Sequence, residues 1–239
     1  MSEQMNTPML PAPSGVSAWL STWRDAVTRP SEQTFIRIAQ SPQAKSTTAF
    51  LWIFVTSLLS IFLGSLIQPM MLRQLPQASD FGLDQFGAEA TGGLVAAICG
   101  APIGALISVV VFAIFVGIVQ LVAKMFGGTG TFDQLAYAIG AIIAPFYLVS
   151  AVLNLLSAIP YVVYCSGLLG FLALLYVIAL EVTAVKGVNR FGWGPAAASV
   201  LLPFFVLACC VAAVIAGLVS VLVPTIQDGF EQIAPTLAP

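Results

Sequence analysis

The chain has 239 residues, of which 59% are hydrophobic and 8% are charged, and its formal net charge is −2. Because a soluble domain carries about 25% charged residues, this composition excludes a domain that faces water on all sides. Eight basic residues against ten acidic ones also argue against a nucleic-acid-binding surface. The sequence therefore predicts an all-α polytopic membrane protein whose solvent is lipid.

Residues 1–15 are polar and rich in proline, and they contain no apolar run. Such a segment does not resemble a signal peptide. It is predicted to be a disordered N-terminal tail.

Residues 16–45 are predicted to form short amphipathic helices on the cytoplasmic side. Apolar residues at helical spacing make one stripe on the first helix; they are Val16, Trp19, Leu20, Trp23 and Val27. Ser31 is a candidate N-cap for a second helix, which carries Phe35, Ile38 and Ala39 on one face.

These helices admit two interpretations, and the sequence does not decide between them. In the first, the helices cover the cytoplasmic ends of the membrane spans. In the second, Trp19, Trp23 and Arg24 form a docking surface for a partner, because an amphipathic helix suits binding in a groove.

Five stretches are long and apolar enough to cross a bilayer. They lie at about 46–67, within 92–123, and at about 134–158, 162–185 and 196–223. These stretches predict a compact bundle of five transmembrane helices over residues 46–223, followed by a short C-terminal tail at 224–239.

The basic residues fall on one side of the predicted spans. Seven of the eight share that side; they are Arg24, Arg29, Arg37, Lys45, Lys124, Lys186 and Arg190. The positive-inside rule then predicts a cytoplasmic N-terminus and an external C-terminus. The expected location is the cell (inner) membrane, or the endoplasmic reticulum or Golgi membrane if the source is eukaryotic.

Residues that commonly carry chemistry are scarce. The chain has no histidine, which removes the commonest general base and metal ligand. Its four cysteines have no zinc-site spacing, and no phosphate-binding loop is present. The sequence therefore predicts a non-enzyme with no catalytic residue, no cofactor and no metal site.

A few residues inside the spans are candidate functional residues. Glu181 is the one ionisable candidate, about one turn from the end of the fourth span, and Lys186 or Lys124 is expected to neutralise it. Asn154 lies near the opposite face of the membrane.

Pro145 and Pro203 each bend a span. They either shape the bundle or flank one cavity, which the third, fourth and fifth spans would line.

Small residues at four-residue spacing occur on every span and predict close helix packing in a bundle or an oligomer. The sets are Ser60 and Gly64; Gly100 and Gly104; Ala136, Gly140 and Ala144; Ser166 and Gly170; and Ala212, Ala216 and Ser220.

Two segments make the chain similar to a known family. They are FGGTGTFDQLAYAIGAIIAPFYLVSAVLNLLSAIP, at Phe126–Pro160, and LLYVIALEVTAVKGVNRFGWGPAAASVLLP, at Leu174–Pro203. Both resemble the Yip-one domain in their Gly-Gly turn, Ala-Pro break, Tyr-bearing span and basic turn. The resemblance covers roughly residues 92–223.

The resemblance implies a five-helix membrane protein with a cytoplasmic N-terminus and no catalytic residues. Eukaryotic members interact with Ypt/Rab GTPases in vesicle traffic. The short arm and compact loops are nearer the prokaryotic type, so a GTPase partner is expected only if the source is eukaryotic.

The function that follows is an integral membrane scaffold or adaptor, involved in membrane organisation or processes that resemble trafficking. Its expected partners are the lipid bilayer and other membrane proteins or further copies of the chain. Two alternatives stay open: a transporter or channel for a small apolar or lipid-like substrate, and an accessory subunit of a larger membrane complex.

Overall fold

The computed structural model describes residues 15–72, 93–156, 159, 162–206, 209, 212–213 and 217. The side chains of 66–72, 93–97 and 162–164 are not among those described. All regular secondary structure in these residues is helical. The helices are α1 (Val16–Thr28), α2 (Glu32–Ala39), α3 (Ser46–Leu72), α4 (Gly93–Met125), α5 (Phe132–Leu156), α6 (Val162–Asn189) and α7 (Trp193–Val206).

Four of these helices, α3 to α6, are long and apolar enough to cross a membrane. This confirms the predicted all-α class and the polytopic helical bundle. The start of the fifth predicted span is described as α7, a shorter apolar helix. Most of the remainder of that span lies outside the described residues, as do residues 1–14, the loop at 73–92 and the tail at 224–239.

The helices alternate in direction, and one end of the bundle gathers the start of α3, the end of α4, the start of α5 and the end of α6. There the Ser46 N–H donates to Asp133 Oδ1 over 3.1 Å, which joins the starts of α3 and α5. The Thr129 N–H donates to the Asn189 carbonyl over 3.2 Å, which joins the loop before α5 to the end of α6. We call this the proximal end.

The glycine-rich turn at 126–131 explains how three helices meet at the proximal end. Gly127 has a φ of 82°, in the left-handed region that favours glycine. A Cβ on Gly130 would lie 2.6 Å from Val188 Cγ1 and 2.9 Å from the Val188 carbonyl oxygen, so the turn lies directly against α6. Thr131 and Gln134 then cap each other's backbone N–H at the start of α5, the arrangement of a capping box.

The core lies where α3 crosses α5. Trp52 is fully buried, and its ring centroid is 4.7 Å from that of Tyr137. A Cβ on Gly140 would lie 2.9 Å from Ala49 Cβ, so α3 and α5 approach as closely as glycine allows. Close helix approach at small residues contributes van der Waals contact that lipid cannot supply.

The small-residue faces that the sequence predicts do not all pack in the same way. Ala136 and Ala144 are fully buried beside Gly140, and a Cβ on Gly104 would lie 3.0 Å from Ile61 Cδ1. These faces pack inside the chain as predicted. By contrast, a Cβ on Gly64, Gly100 or Gly170 would meet no described atom within 4 Å, so these glycines make no close packing contact with the described part of the bundle.

The arm helices α1 and α2 pack on the proximal part of the bundle. The predicted cap is confirmed, since Ser31 accepts a hydrogen bond from the Thr34 N–H over 3.1 Å. Phe35, Ile38 and Ala39 are buried, as their spacing predicts. A Cβ on Gly187 of α6 would lie 2.9 Å from the Glu32 carbonyl oxygen, so only a glycine lets α2 lie this close.

Candidate functional site

Glu181 lies deeper in the bundle than its sequence position indicates. The fourth span continues past residue 185, and α6 ends at Asn189, so Glu181 lies about 12 Å from the helix end at 1.5 Å per residue. Its side chain is buried, with 2% of the residue exposed. The prediction that it lies one turn from the end of the span is therefore wrong, because the helix runs through the basic turn.

Lys186 has a different partner from the expected one. Its Nζ donates to Glu32 Oε2 and forms an ion pair with it, and it also lies 4.5 Å from the centre of the Trp193 ring. The prediction that Lys186 neutralises Glu181 is wrong, because the arm helix α2 brings a closer carboxylate to it. Lys186 thus holds α2 and the start of α7 against α6.

Glu181 has no ion-pair partner among the residues that the structure describes. Glu181 Oε2 is buried and has no hydrogen-bond partner in the part of the chain that the structure describes. Lys124, the other base expected to neutralise it, forms no ion pair among the described residues. A buried polar atom without a partner costs free energy, so this position is a candidate for binding rather than for stability.

Glu181 lines a cavity of about 390 Å³. The remaining lining residues come from three other helices and are mostly apolar. They are Ser108, Val111, Phe112, Ile114, Phe115 and Ile118 of α4, Ile143 and Tyr147 of α5, and Pro203 and Phe204 of α7. The cavity therefore involves the three predicted spans and also α4, which was not expected to contribute.

The cavity lies between the helices, away from their proximal ends. Phe115 is ten residues from the proximal end of α4 and Pro203 is ten residues from the start of α7, which is about 15 Å in each case. Glu181 lies at nearly the same height. Phe115, Pro203 and Glu181 therefore lie about 12–15 Å from the proximal ends of their helices, between helices that include the long apolar α4, α5 and α6.

The structure brings Pro203 to the same cavity as Glu181 and places Pro145 and Asn154 elsewhere. Pro203 lines the cavity, whereas Pro145 is partly buried on α5 and is not a lining residue, although Ile143 and Tyr147 beside it are. Asn154 lies two residues from the distal end of α5, about 33 Å along the helix from its start. It is therefore not part of the same site.

Sequence reasoning did not identify the aromatic lining of the cavity. The rings of Phe115 and Phe204 lie 5.2 Å apart, between α4 and α7. Both helices are apolar all round, so periodicity does not show which side faces the cavity. The one feature of the sequence that pointed to this cavity was Glu181, the single acidic residue deep in a span.

The predicted docking residues divide into two groups. Trp19 and Trp23 pack edge-on against Trp52, with ring centroids 6.1 Å and 5.7 Å away. Their rings therefore hold α1 on the bundle. Arg24 instead points outward, with 70% of its side chain exposed.

The outward face of α1 differs from the predicted stripe. Val16 and Leu20 belong to that stripe, but they are 64% and 54% exposed, while Ala18 and Ala26 are buried. Val16, Leu20 and Arg24 follow four-residue spacing and so lie on one helix face. We call these three residues the α1 patch.

No group of three or more potential metal ligands occurs among the residues that the structure describes. What the site offers chemically is a carboxyl oxygen able to accept a hydrogen bond, within apolar walls. The geometry is that of a binding cavity.

Comparison with known proteins gives one match. The Yip1 domain family model matches residues 24–227, which is most of the chain. No curated protein and no solved structure gives a significant match. The matched range includes the ion pair of α2 with α6, the glycine-rich turn and the cavity residues. The apolar spans and this match together show that the chain is a multi-pass membrane protein that belongs to the Yip1 domain family, as its resemblance to the Yip-one domain predicted.

Proposed function

We propose that this protein is a non-enzymatic membrane scaffold, and that another membrane protein docks on the α1 patch. The observation that carries the proposal is the fixed position of α1, which is anchored by the buried Trp23 while the neighbouring Val16 and Leu20 stay exposed. The patch combines exposed apolar area from Val16 and Leu20 with a guanidinium. Arginine beside apolar surface is typical of the residues that dominate protein interfaces.

Three contacts indicate that α1 and α2 are fixed on the bundle and are not merely tethered to it. The Tyr176 hydroxyl donates to the Val27 carbonyl over 2.6 Å and joins α6 to the end of α1. Arg37 of α2 pairs with Asp25 of α1 over 3.2 Å. The ion pair between Lys186 and Glu32 joins α2 to α6. A partner that binds the patch therefore meets a preformed surface, which lowers the ordering cost of binding.

The proposal places the proximal end in the cytoplasm of a cell whose plasma membrane holds the protein. Seven basic residues belong to the arm, the loops and the helix ends on this side, against three acidic ones, Asp25, Glu32 and Asp133. An excess of positive charge is typical of cytoplasmic segments, and it suits the anionic lipids of the inner leaflet.

Photo-crosslinking from the patch tests the docking proposal. A photoreactive amino acid in place of Leu20 is expected to crosslink the protein to one membrane protein in native membranes. Adding Arg24→Glu should reduce that product about tenfold or more, which is the effect of losing one dominant interface residue. Arg24 makes only an exposed contact of 3.5 Å with Asp25, so folding should be little affected.

Gln33 supplies the matched control, because it is exposed on α2. Gln33→Glu adds a negative charge to the arm without touching the patch, and the crosslink from position 20 should persist. Crosslinks from position 20 to lipid alone, or a protein crosslink that Arg24→Glu leaves unchanged, would contradict the docking proposal.

A further inference from the structure

The scaffold proposal does not involve the cavity beside Glu181. Its walls are apolar apart from Ser108, Tyr147 and Glu181. Ser108 Oγ already donates to the Gly104 carbonyl over 2.9 Å. Glu181 Oε2, by contrast, is buried without a partner in the described part of the chain. Glu181 is also a lining residue of the cavity, so its carboxyl group is the candidate partner for a polar group that enters.

The cavity opens sideways, toward lipid. Val111, Ile114 and Phe204 line it and are also 58%, 58% and 38% exposed. At their depth in the bundle, exposed apolar side chains face the hydrocarbon of the bilayer. A molecule dissolved in the membrane therefore reaches the cavity between α4 and α7 without crossing water.

The volume of the cavity limits the size of the molecule that it can hold. About 390 Å³ lies in the range of small-molecule pockets, which is roughly 300–1,000 Å³. A transmembrane helix about 10–12 Å wide has room for no more than about one turn in such a space. The dimensions fit one hydrocarbon chain or a small lipid.

The carboxyl group of Glu181 and the apolar walls around it limit which polar group a bound molecule can carry. A carboxyl group has an acceptor oxygen whether or not it is ionised, and it is also a donor when protonated. A hydroxyl group both donates and accepts, so it can pair with Glu181 in either state. A hydroxyl costs far less to bring into hydrocarbon than an ammonium group does. We propose that the cavity binds an uncharged lipid alcohol, whose hydroxyl pairs with Glu181 and whose chain lies along Phe115 and Phe204.

Photolabelling in vesicles tests this site independently of the docking proposal, because it needs no protein partner. The protein is reconstituted in phosphatidylcholine vesicles with a long-chain alcohol that carries a diazirine. A diazirine-bearing alkane of the same length is the matched probe without the hydroxyl. The alcohol is expected to label α4 and α7 at the cavity about tenfold more than the alkane does, the gain expected from one hydrogen bond.

Variants of Glu181 identify the hydrogen bond. Glu181→Gln keeps an acceptor oxygen and should retain preferential labelling. Glu181→Leu removes the acceptor and should lower labelling by the alcohol to the level of the alkane. If Glu181→Leu fails to fold, Ser108→Leu provides the second test, since it fills the cavity and leaves Glu181 in place; labelling by both probes should then fall.

The proposal is overturned if the alcohol and the alkane label the cavity equally in the wild type. It is also overturned if Glu181→Leu folds and keeps the preference for the alcohol, or if the cavity is labelled no more than the lipid-facing surface of α6. A crosslink from the cavity to a transmembrane segment of another protein would instead identify a helix as the occupant and would equally overturn it.

Discussion

Trp52→Ala is expected to destabilise the protein by about 3–5 kcal/mol, the cost of removing a fully buried large aromatic side chain. Trp52 contacts Trp19, Trp23 and Tyr137, so the substitution also removes the surface on which α1 packs. Its indole N–H has no hydrogen-bond partner in the described part of the chain, so the loss is one of packing. Thermal unfolding in detergent measures the destabilisation, and trypsin cleavage after Arg24 reports release of α1.

Trp193→Ala is the matched control for this prediction. Trp193 is 57% exposed and contacts Lys186 through its ring, an interaction of about 0.5–1 kcal/mol at an exposed site. The control should lower the unfolding temperature only slightly and leave trypsin cleavage of α1 slow. Equal effects of the two substitutions would show that Trp52 is not the anchor of the arm.

Gly140→Leu is expected to separate α3 from α5 and to destabilise the bundle by about 1–3 kcal/mol or more, as overpacking does. Even the first added carbon would lie 2.9 Å from Ala49 Cβ and 3.4 Å from Ala49 Cα. The second of these atoms belongs to the backbone, which cannot rotate away. Leucine favours a helix more than glycine does, so any loss of stability reports the contact between the helices.

Gly170→Leu makes the same substitution at a position where a larger side chain has room. A Cβ there meets no atom within 4 Å among the residues that the structure describes, and the residue lies on α6, which like α5 is a membrane-spanning helix. Its unfolding temperature should stay the same or rise. If Gly140→Leu were tolerated as well as Gly170→Leu, the close contact of α3 with α5 would be wrong.

Much of the fold could be predicted from the sequence because a membrane span has a strong local signal. The first span was expected to begin near residue 46, and α3 begins at Ser46. The cap at Ser31 and the buried face of α2 were also predictable, since both depend on residues three or four positions apart. Such features need no knowledge of the partner helices.

The predictions that were wrong concern contacts between residues that are far apart in the sequence. The pairing of Lys186 with Glu32 spans 154 positions, and no local pattern identifies it. The buried side of α1 was misjudged for the same reason: Leu20 is more apolar than Ala18, yet it is the small alanine that lies against the bundle. Small residues are preferred where helices approach closely.

The candidate site was only partly predictable. Glu181 and Pro203 could be selected because an acid or a proline inside a span is rare and consequential. The cavity that joins them depends on how α4 rotates about its axis, and an all-round apolar helix gives no sign of this. Pro102 lies inside α4 and within the residues 92–123 that hold the second predicted span, so this proline was visible in the sequence although it was not singled out.

Hydrogen–deuterium exchange in lipid nanodiscs shows whether α1 and α2 are fixed parts of the bundle. The backbone amides of Ala26 and Ile38, whose side chains are buried against the spans, should exchange about 100-fold or more slowly than those of an unstructured peptide. Exchange at the unprotected rate in both helices would show a tethered arm and would contradict the account.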